Sequence, residues 1–203
     1  MAMTITYEFE GALYVNLTNA CSNDCEFCLR NNHDGVNGED ILWLDREPTL
    51  DEIIADFSKR DLKKYSWVVF CGYGEPMMRY ETLMDAAKWL KTNHSHLKIR
   101  INTNGQVNMI EKRDVTPEFE NIIDAISISL NSSTPEGYDK ICHSCFGLEA
   151  YAGLLDFAKK AKRFVPSVTL SIVDHDITPE EIEKCRSIAD ECGVHFRVRE
   201  YIE

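Results

Sequence analysis

The chain has 203 residues, of which 44% are hydrophobic, so it is long enough for one domain with a full hydrophobic core. Its formal net charge of −12 argues against a nucleic-acid substrate, because proteins that grip a phosphate backbone normally present a basic face. The N-terminal residues do not form a secretion signal, and no apolar run approaches membrane-spanning length. With eight cysteines and no export signal, we expect a cytoplasmic protein whose reduced thiols serve metal or redox chemistry.

Short apolar runs alternate with helical patterns, which is typical of βα units and a parallel sheet. The predicted strands cover 12–18, 66–71, 98–103, 124–130, 167–173 and 194–201. Helices are predicted over 80–92 and 148–162, and after the capping hydroxyls of Thr49, Thr116, Thr134 and Thr178. Because six units are too few for a closed eight-stranded barrel, we predict an α/β fold: an open partial TIM barrel, about (βα)6 with parallel strands, in one domain over residues 1–203.

Three cysteines follow the first of these strands, Cys21, Cys25 and Cys28, in a Cys-x3-Cys-x2-Cys pattern. Three thiolates this close together can hold three corners of a cubic iron–sulfur cluster, whereas a closed structural cluster needs a fourth cysteine. The fourth iron would then be open for chemistry, like the vacant position of a catalytic zinc site. The alternatives are zinc with a fourth ligand elsewhere, a redox or scaffold cluster without turnover, and three unrelated thiols.

The cysteine pattern, with the aromatic Phe27 just before its third cysteine, resembles the radical S-adenosylmethionine (SAM) enzymes. The resemblance implies a [4Fe–4S] cluster on Cys21, Cys25 and Cys28, with SAM chelating the open iron. A reduced cluster would cleave SAM to methionine and a 5′-deoxyadenosyl radical that abstracts hydrogen from a substrate. It further implies an oxygen-sensitive oxidoreductase with a low-potential electron donor such as flavodoxin or ferredoxin.

The ends of the next two strands carry motifs that resemble the same family. Residues 70–76, Phe-Cys-Gly-Tyr-Gly-Glu-Pro, are similar to its glycine-glycine-glutamate motif, with Tyr73 in place of the first glycine. Asn102 and Thr103 resemble the segment beside the methionyl group of SAM. A plain turn is the alternative at both places.

Polar residues alternate along the fourth strand at Ser127, Ser129 and Asn131, which predicts that they share one face. The resemblance implies ribose and carboxylate contacts there; small polar core residues are the alternative. On the last strands, Ser171 is a further candidate, and Arg197 or Arg199 could pair with the SAM carboxylate or with an anionic substrate. The predicted SAM contacts are Phe27, Tyr73, Gly74, Glu75, Asn102, Thr103, Ser129 and Asn131.

The remaining cysteines have other expected roles. Cys71 is a candidate for contact with the substrate or the radical, and an ordinary buried thiol is the alternative. Cys142 and Cys145 form a second Cys-x2-Cys, which offers only two of the ligands that an auxiliary metal needs. Cys185 and Cys192 are expected on one buried face of the last helix.

A long connection over residues 29–48 joins the cysteine motif to the first helix, and such connections are usually functional or disordered. It is interpreted either as a lid over the substrate or as a solvated surface loop. The side chains that could form the lid are those of His33, Asp34, Glu39, Asp40 and Trp43.

Two features bear on partners. Residues 29–35, together with the Gly-Tyr-Gly-Glu-Pro variant, resemble small radical SAM proteins associated with TatD-type hydrolases, which makes such a hydrolase a candidate partner. The sequence ends at the sixth predicted strand, so one side of the barrel would be poorly covered, which favours a large substrate or a protein substrate. An activating enzyme that makes a glycyl radical on a partner protein is therefore the alternative within the family.

Overall fold

The computed structural model describes residues 3–36 and 40–201. Seven strands form the main sheet, and a separate hairpin pairs β3 (Gly35–Val36) with β4 (Asp40–Ile41). The strands of the main sheet are β1 (Thr6–Phe9), β2 (Ala12–Val15), β5 (Trp67–Phe70), β6 (Lys98–Thr103), β7 (Ala125–Ser129), β8 (Ser167–Asp174) and β9 (His195–Glu200). Their order is β1-β2-β5-β6-β7-β8-β9.

All six predicted strands are confirmed, and neighbours from β2 to β9 pair in parallel. Strands β1 and β9 are the two edges, so the sheet is not closed, consistent with a partial TIM barrel. Strand β1 was not predicted. It pairs antiparallel with β2 through a two-residue turn at Glu10 and Gly11, which both have positive φ, as in the tight turns that suit β-hairpins.

The described residues form six helices: α1 (Leu50–Phe57), α2 (Tyr80–Asn93), α3 (Val107–Ile110), α4 (Pro135–Cys142), α5 (Glu149–Ala161) and α6 (Pro179–Cys192). The hydroxyls of Thr49, Thr134 and Thr178 accept hydrogen bonds from the first turns of α1, α4 and α6, as predicted. No helix of the described residues is long and apolar enough to span a membrane.

The predicted helix after Thr116 is wrong. Thr116–Phe119 is a single 3-10 turn, and the amide and hydroxyl of Thr116 donate to Oδ1 of Asp114 at 3.0 and 2.7 Å. Asp114 therefore satisfies the first amide of the turn. The pattern failed because only five residues, 120–124, separate this turn from β7, which leaves no room for a long helix.

Strand alternation gives the sheet two different faces. The outer face packs against the helices. Its apolar side chains, such as those of Phe70, Ile101 and Ile128, are at most 1% exposed. Burying each one contributes about 1.5–3 kcal/mol. The opposite, inner face carries polar residues, including Asn102 and Ser129, so the sheet presents its polar groups to one open concavity.

Cys185 and Cys192 are buried on α6, as predicted.

Candidate active site at the carboxyl ends of the strands

The cysteine loop, residues 21–28, leaves the end of β2 and is held on the far side by α4. Three main-chain hydrogen bonds join this loop to the C-terminal end of α4 and the residues that follow it. They run from the Asp24 amide to the Cys142 carbonyl (2.9 Å), from the Glu26 amide to the Ile141 carbonyl (3.0 Å) and from the Cys145 amide to the Ser22 carbonyl (2.8 Å). A part of the chain that is distant in sequence therefore holds the loop.

The three thiols of the loop are partly buried. Burial, with a smaller contribution from Glu75, raises the pKa of Cys21 to about 12, and burial raises the pKa of Cys28. Without metal these groups are protonated thiols, so a metal that binds them must displace their protons. Among residues 3–36 and 40–201, no three His, Cys, Asp or Glu side chains are grouped to hold one metal ion. The cysteines of a cubic cluster bind three different irons, so they need not meet at one point.

A contact between two cysteines was not expected. The thiols of Cys25 and Cys142 hydrogen-bond to each other, which raises the pKa of Cys25 and lowers that of Cys142. The side-chain amide of Asn131 donates to the Cys142 sulfur at 3.6 Å. Cys142 is fully buried, whereas Cys145 is exposed, so the two sulfurs of the second Cys-x2-Cys lie in different surroundings.

The end of β5 runs directly beside the start of the cysteine loop. The amides of Gly74 and Glu75 donate to the carbonyls of Thr18 (3.0 Å) and Ala20 (2.9 Å). A Cβ atom on Gly74 would lie 2.4 Å from the Thr18 oxygen and 2.5 Å from the Ala20 oxygen. Only glycine allows this approach, so the predicted motif is at the position where main chain meets the cysteine loop.

The carboxylate of Glu75 joins the ends of two strands. It is buried and accepts hydrogen bonds from the Met77 amide (3.0 Å), the Thr103 hydroxyl (2.7 Å) and the Asn104 amide (2.7 Å). Burial raises its pKa, although these bonds favour the charged form. The side chains of Glu75 and Thr103 are hydrogen-bonded to each other at the ends of β5 and β6. We therefore expect any contact that these residues make with SAM to come from their main chain.

The side chain of Tyr73 contacts the long connection, and the predicted cofactor contact of this residue stays a prediction. Its hydroxyl donates to the carbonyl of His33, and its ring meets the edge of Trp43 at 5.1 Å between centroids. Its side chain therefore holds the long connection against the sheet.

A cavity of about 480 Å³ opens beside the cysteine loop, between α4 and the ends of β7 and β8. Two predicted SAM contacts, Phe27 and Asn131, line it. Oδ1 of Asn131 is buried and has no hydrogen-bond partner within the described ranges. An unpaired buried acceptor costs about 1–3 kcal/mol, so this oxygen is ready for a donor from a ligand. Lys140 and Ile177 also line the cavity, and the sequence did not mark them.

Other predicted residues lie on the inner face. Asn102 hydrogen-bonds to the Cys71 thiol, and Ser129 accepts a bond from Arg199 at 3.3 Å. Arg199 is partly buried, whereas Arg197 is exposed. Ser171 is buried and donates to the carbonyl of residue 128 at 3.3 Å, so its hydroxyl already has a structural partner.

Polar residues just before the cysteine loop hold the long connection. Asn16 donates to the Leu42 carbonyl at 2.7 Å, and Asn19 exchanges two bonds with the main chain of Leu44 (2.7 and 3.0 Å). These asparagines were missed, although their position at a strand end was a signal. Glu39 and the side chain of Asp40 lie outside the described part of the chain.

A buried hydrogen-bond network beneath the cysteine loop was also missed. It joins the loop to the segment after β6, to α4 and to the residues after α4. Its bonds run from Asn23 to the Tyr138 hydroxyl (2.9 Å), from Gln106 to Asn23 (2.8 Å) and to Tyr138 (3.0 Å), from Asn104 to Ser22 (2.8 Å), and from Ser144 to Gln106 (3.1 Å). The network therefore holds the cysteine loop against α4 and against the segment after β6.

Comparison with known proteins agrees with this arrangement. A model described as "Radical SAM superfamily" matches residues 15–187. The chain is 30% identical over 133 residues to "Probable dual-specificity RNA methyltransferase RlmN" of Flavobacterium psychrophilum, a match that covers 60% of this chain and 34% of that protein. The chain thus spans about a third of the length of the curated relatives that it matches.

Two solved structures share the fold. Streptococcus suis SuiB bound to precursor peptide SuiA has a TM-score of 0.65 and 17% identity, and the match covers 98% of this chain and 41% of that one. TsrM from Kitasatospora setae, with cobalamin and a [4Fe–4S] cluster bound, has a TM-score of 0.56 and 12% identity over 93% of this chain and 34% of that one. Since the family model covers residues 15–187, which is most of the chain, this protein belongs to the Radical SAM superfamily of enzymes.

Proposed function

We propose that Cys21, Cys25 and Cys28 hold a [4Fe–4S] cluster and that the adjoining cavity binds SAM. When bound, these cofactors supply reductive cleavage of SAM to methionine and a 5′-deoxyadenosyl radical, which abstracts hydrogen from a substrate. The observation that carries the proposal is the cavity of about 480 Å³ at the cysteine loop, where Phe27 of the loop and Asn131 line it.

The protein supplies ligands, position and shelter for this chemistry. Main-chain bonds to α4 and to the Gly74 segment hold the cysteine loop from two sides. Phe27 gives the cavity an apolar wall, and Oδ1 of Asn131 offers an unpaired acceptor to a hydroxyl or ammonium group. Gly74 lets the main chain pass within hydrogen-bond distance of the loop.

The test is anaerobic reconstitution with iron and sulfide, followed by SAM and a strong reductant, with methionine and 5′-deoxyadenosine measured. Alanine variants of Cys21, Cys25 and Cys28 are expected to lose bound iron and SAM cleavage together. Cys145→Ala is the matched control, because this cysteine is exposed and is not among the proposed ligands. A wild-type cluster that forms but cleaves no SAM would contradict the proposal.

The substrate is proposed to be a protein or peptide rather than RNA. The RlmN relatives are named as RNA methyltransferases, but the net charge of −12 is unfavourable for binding a phosphate backbone. One structural neighbour is bound to a peptide. A glycyl-radical activating role on a partner protein is one form of this proposal.

Further predictions from the sequence remain open to test. They are a cytoplasmic location, a flavodoxin or ferredoxin donor, a TatD-type hydrolase partner, and action of residues 1–203 as one domain. Co-purification of the full chain with a TatD-type hydrolase would test the partner.

A further inference from the structure

Two arginines on the inner face of the sheet have no acidic partner. Arg100 lies in the middle of β6 and Arg199 lies near the end of β9. Within residues 3–36 and 40–201, neither forms an ion pair with a carboxylate. A guanidinium stays charged in a protein, and withdrawing it from water is costly unless an anion compensates. Burial accordingly lowers the pKa of Arg199.

Neutral hydroxyls hold both guanidinium groups in place. Nη2 of Arg100 donates to the Tyr14 hydroxyl at 3.0 Å, and Nη2 of Arg199 donates to Oγ of Ser129 at 3.3 Å. The Nε atom of each arginine is buried and has no hydrogen-bond partner among the described residues. An arginine binds a carboxylate or a phosphate through two parallel N–H donors, so each guanidinium keeps capacity for an oxyanion.

The groups near the two arginines are also suited to bind an oxyanion. The thiol of Cys71 lies close enough to both arginines to interact electrostatically with each. Asn102 bonds to this thiol, and its Oδ1 atom is buried and unpaired in the described part of the chain. This oxygen can accept only from an N–H or O–H group. The surroundings therefore fit an oxyanion with a hydrogen-bond donor beside it.

The charge of the inner face is opposite to that of the whole chain. The inward positions of the parallel strands carry basic residues and no Asp or Glu, although the net charge is −12. The basic residues at these positions are Lys98, Arg100, His195, Arg197 and Arg199. An anion is thus favoured inside the concavity and disfavoured over most of the remaining surface.

We propose that Arg100 and Arg199 form a subsite that anchors an oxyanion of the substrate, a carboxylate or a phosphate, on the inner face of the sheet. The proposal rests on the proposed function, because the anchored substrate would be presented to the SAM cavity above. Arg199 pairs in register with Val173, which lines that cavity beside the cysteine loop, so the subsite adjoins the cavity. Arg100 lies two residues before Asn102 on β6, which extends the subsite away from that loop.

Binding of inorganic phosphate and of malonate to the full chain tests the subsite, at constant ionic strength set with sodium chloride. Titration calorimetry is expected to show saturable binding of at least one probe. Arg100→Gln and Arg199→Gln should each weaken it about tenfold or more, because each removes charged hydrogen-bond donors. Arg163→Gln is the control: it removes the same charge from an exposed position beside Phe164 and should bind like wild type.

The variants Arg100→Lys and Arg199→Lys show whether weak binding by the glutamine variants is due to misfolding. They keep the positive charge and lose the pair of parallel N–H donors. Intermediate affinity in folded lysine variants supports the subsite. Equal binding by wild type, the two glutamine variants and the control overturns it, as does the absence of saturable binding of either probe by wild type.

SAM carries its own carboxylate, so a competition experiment separates the two sources of the anion. SAM affinity of the reconstituted protein is measured with and without saturating phosphate or malonate. Unchanged affinity supports a separate substrate subsite, whereas competition would assign the arginines to SAM and overturn the proposal. Anion binding without SAM cleavage would overturn the proposed function and support the subsite. Normal SAM cleavage without anion binding would overturn the subsite alone.

Discussion

Replacing Gly74 with alanine should loosen the attachment of the cysteine loop. The added Cβ would lie 2.4 and 2.5 Å from two main-chain oxygens, those of Thr18 and Ala20, which no side-chain rotation can move. Overpacking of this kind costs about 1–3 kcal/mol, and weakening the two main-chain bonds at this contact adds about 1 kcal/mol. For a total near 3 kcal/mol, a chain of this size should melt about 6–12 °C lower.

The assay is thermal unfolding of the protein without metal, with iron content after reconstitution as the second measurement. Gly147→Ala is the matched control, because Gly147 has φ +55° and no atom within 4 Å of an added Cβ. The control should lose only about 1 kcal/mol of stability, from backbone strain, and should keep its iron. If Gly74→Ala melts no lower than Gly147→Ala and binds a full complement of iron, the close approach does not support the site.

Three other changes test separate parts of the structure. Tyr138→Phe leaves the buried donors of Asn23 and Gln106 without their shared acceptor, so the free energy of unfolding in urea should fall by about 1–3 kcal/mol; an unchanged value would refute the network's contribution. Cys142→Ala should keep iron and SAM cleavage, because Cys142 is not among the proposed ligands; loss of iron would refute this. Burial opposes ionisation of Glu181, but bonds from the Ser133 amide and hydroxyl outweigh it and lower the Glu181 pKa. The stabilisation by ionised Glu181 is present above the pKa that this residue has in the unfolded state, and it is lost as pH falls through the lower pKa of the folded state. Glu181→Gln should therefore reduce the loss of stability on acidification, and an unchanged slope of stability against pH would refute this.

The site combines local motifs with contacts that cross the sheet. The cysteine pattern and the glycine turn belong to segments that are far apart in sequence, and both depend on partners elsewhere. Cys25 contacts Cys142, and Gly74 contacts the residues before Cys21. A change at Gly74 can therefore disturb the cysteine loop although it leaves all three proposed cluster ligands intact.

The sequence by itself determined the six parallel strands, three of the four capped helices and the open α/β architecture. These features depend on local periodicity and on side chains that satisfy amides a few residues away, as Thr49 does for α1. The sequence also indicated the radical SAM family, because the spacing of Cys21, Cys25 and Cys28 is a local property.

Only the tertiary structure decided how the polar residues are used. Glu75 and Thr103 were predicted to contact the cofactor, and the structure adds a bond between their side chains across two neighbouring strands. Arg100 looked like an ordinary strand residue until β2 placed the Tyr14 hydroxyl beside it. Such partners are distant in sequence, and a hydrogen bond or an unpaired charge becomes visible only when folding has removed water and chosen the neighbours.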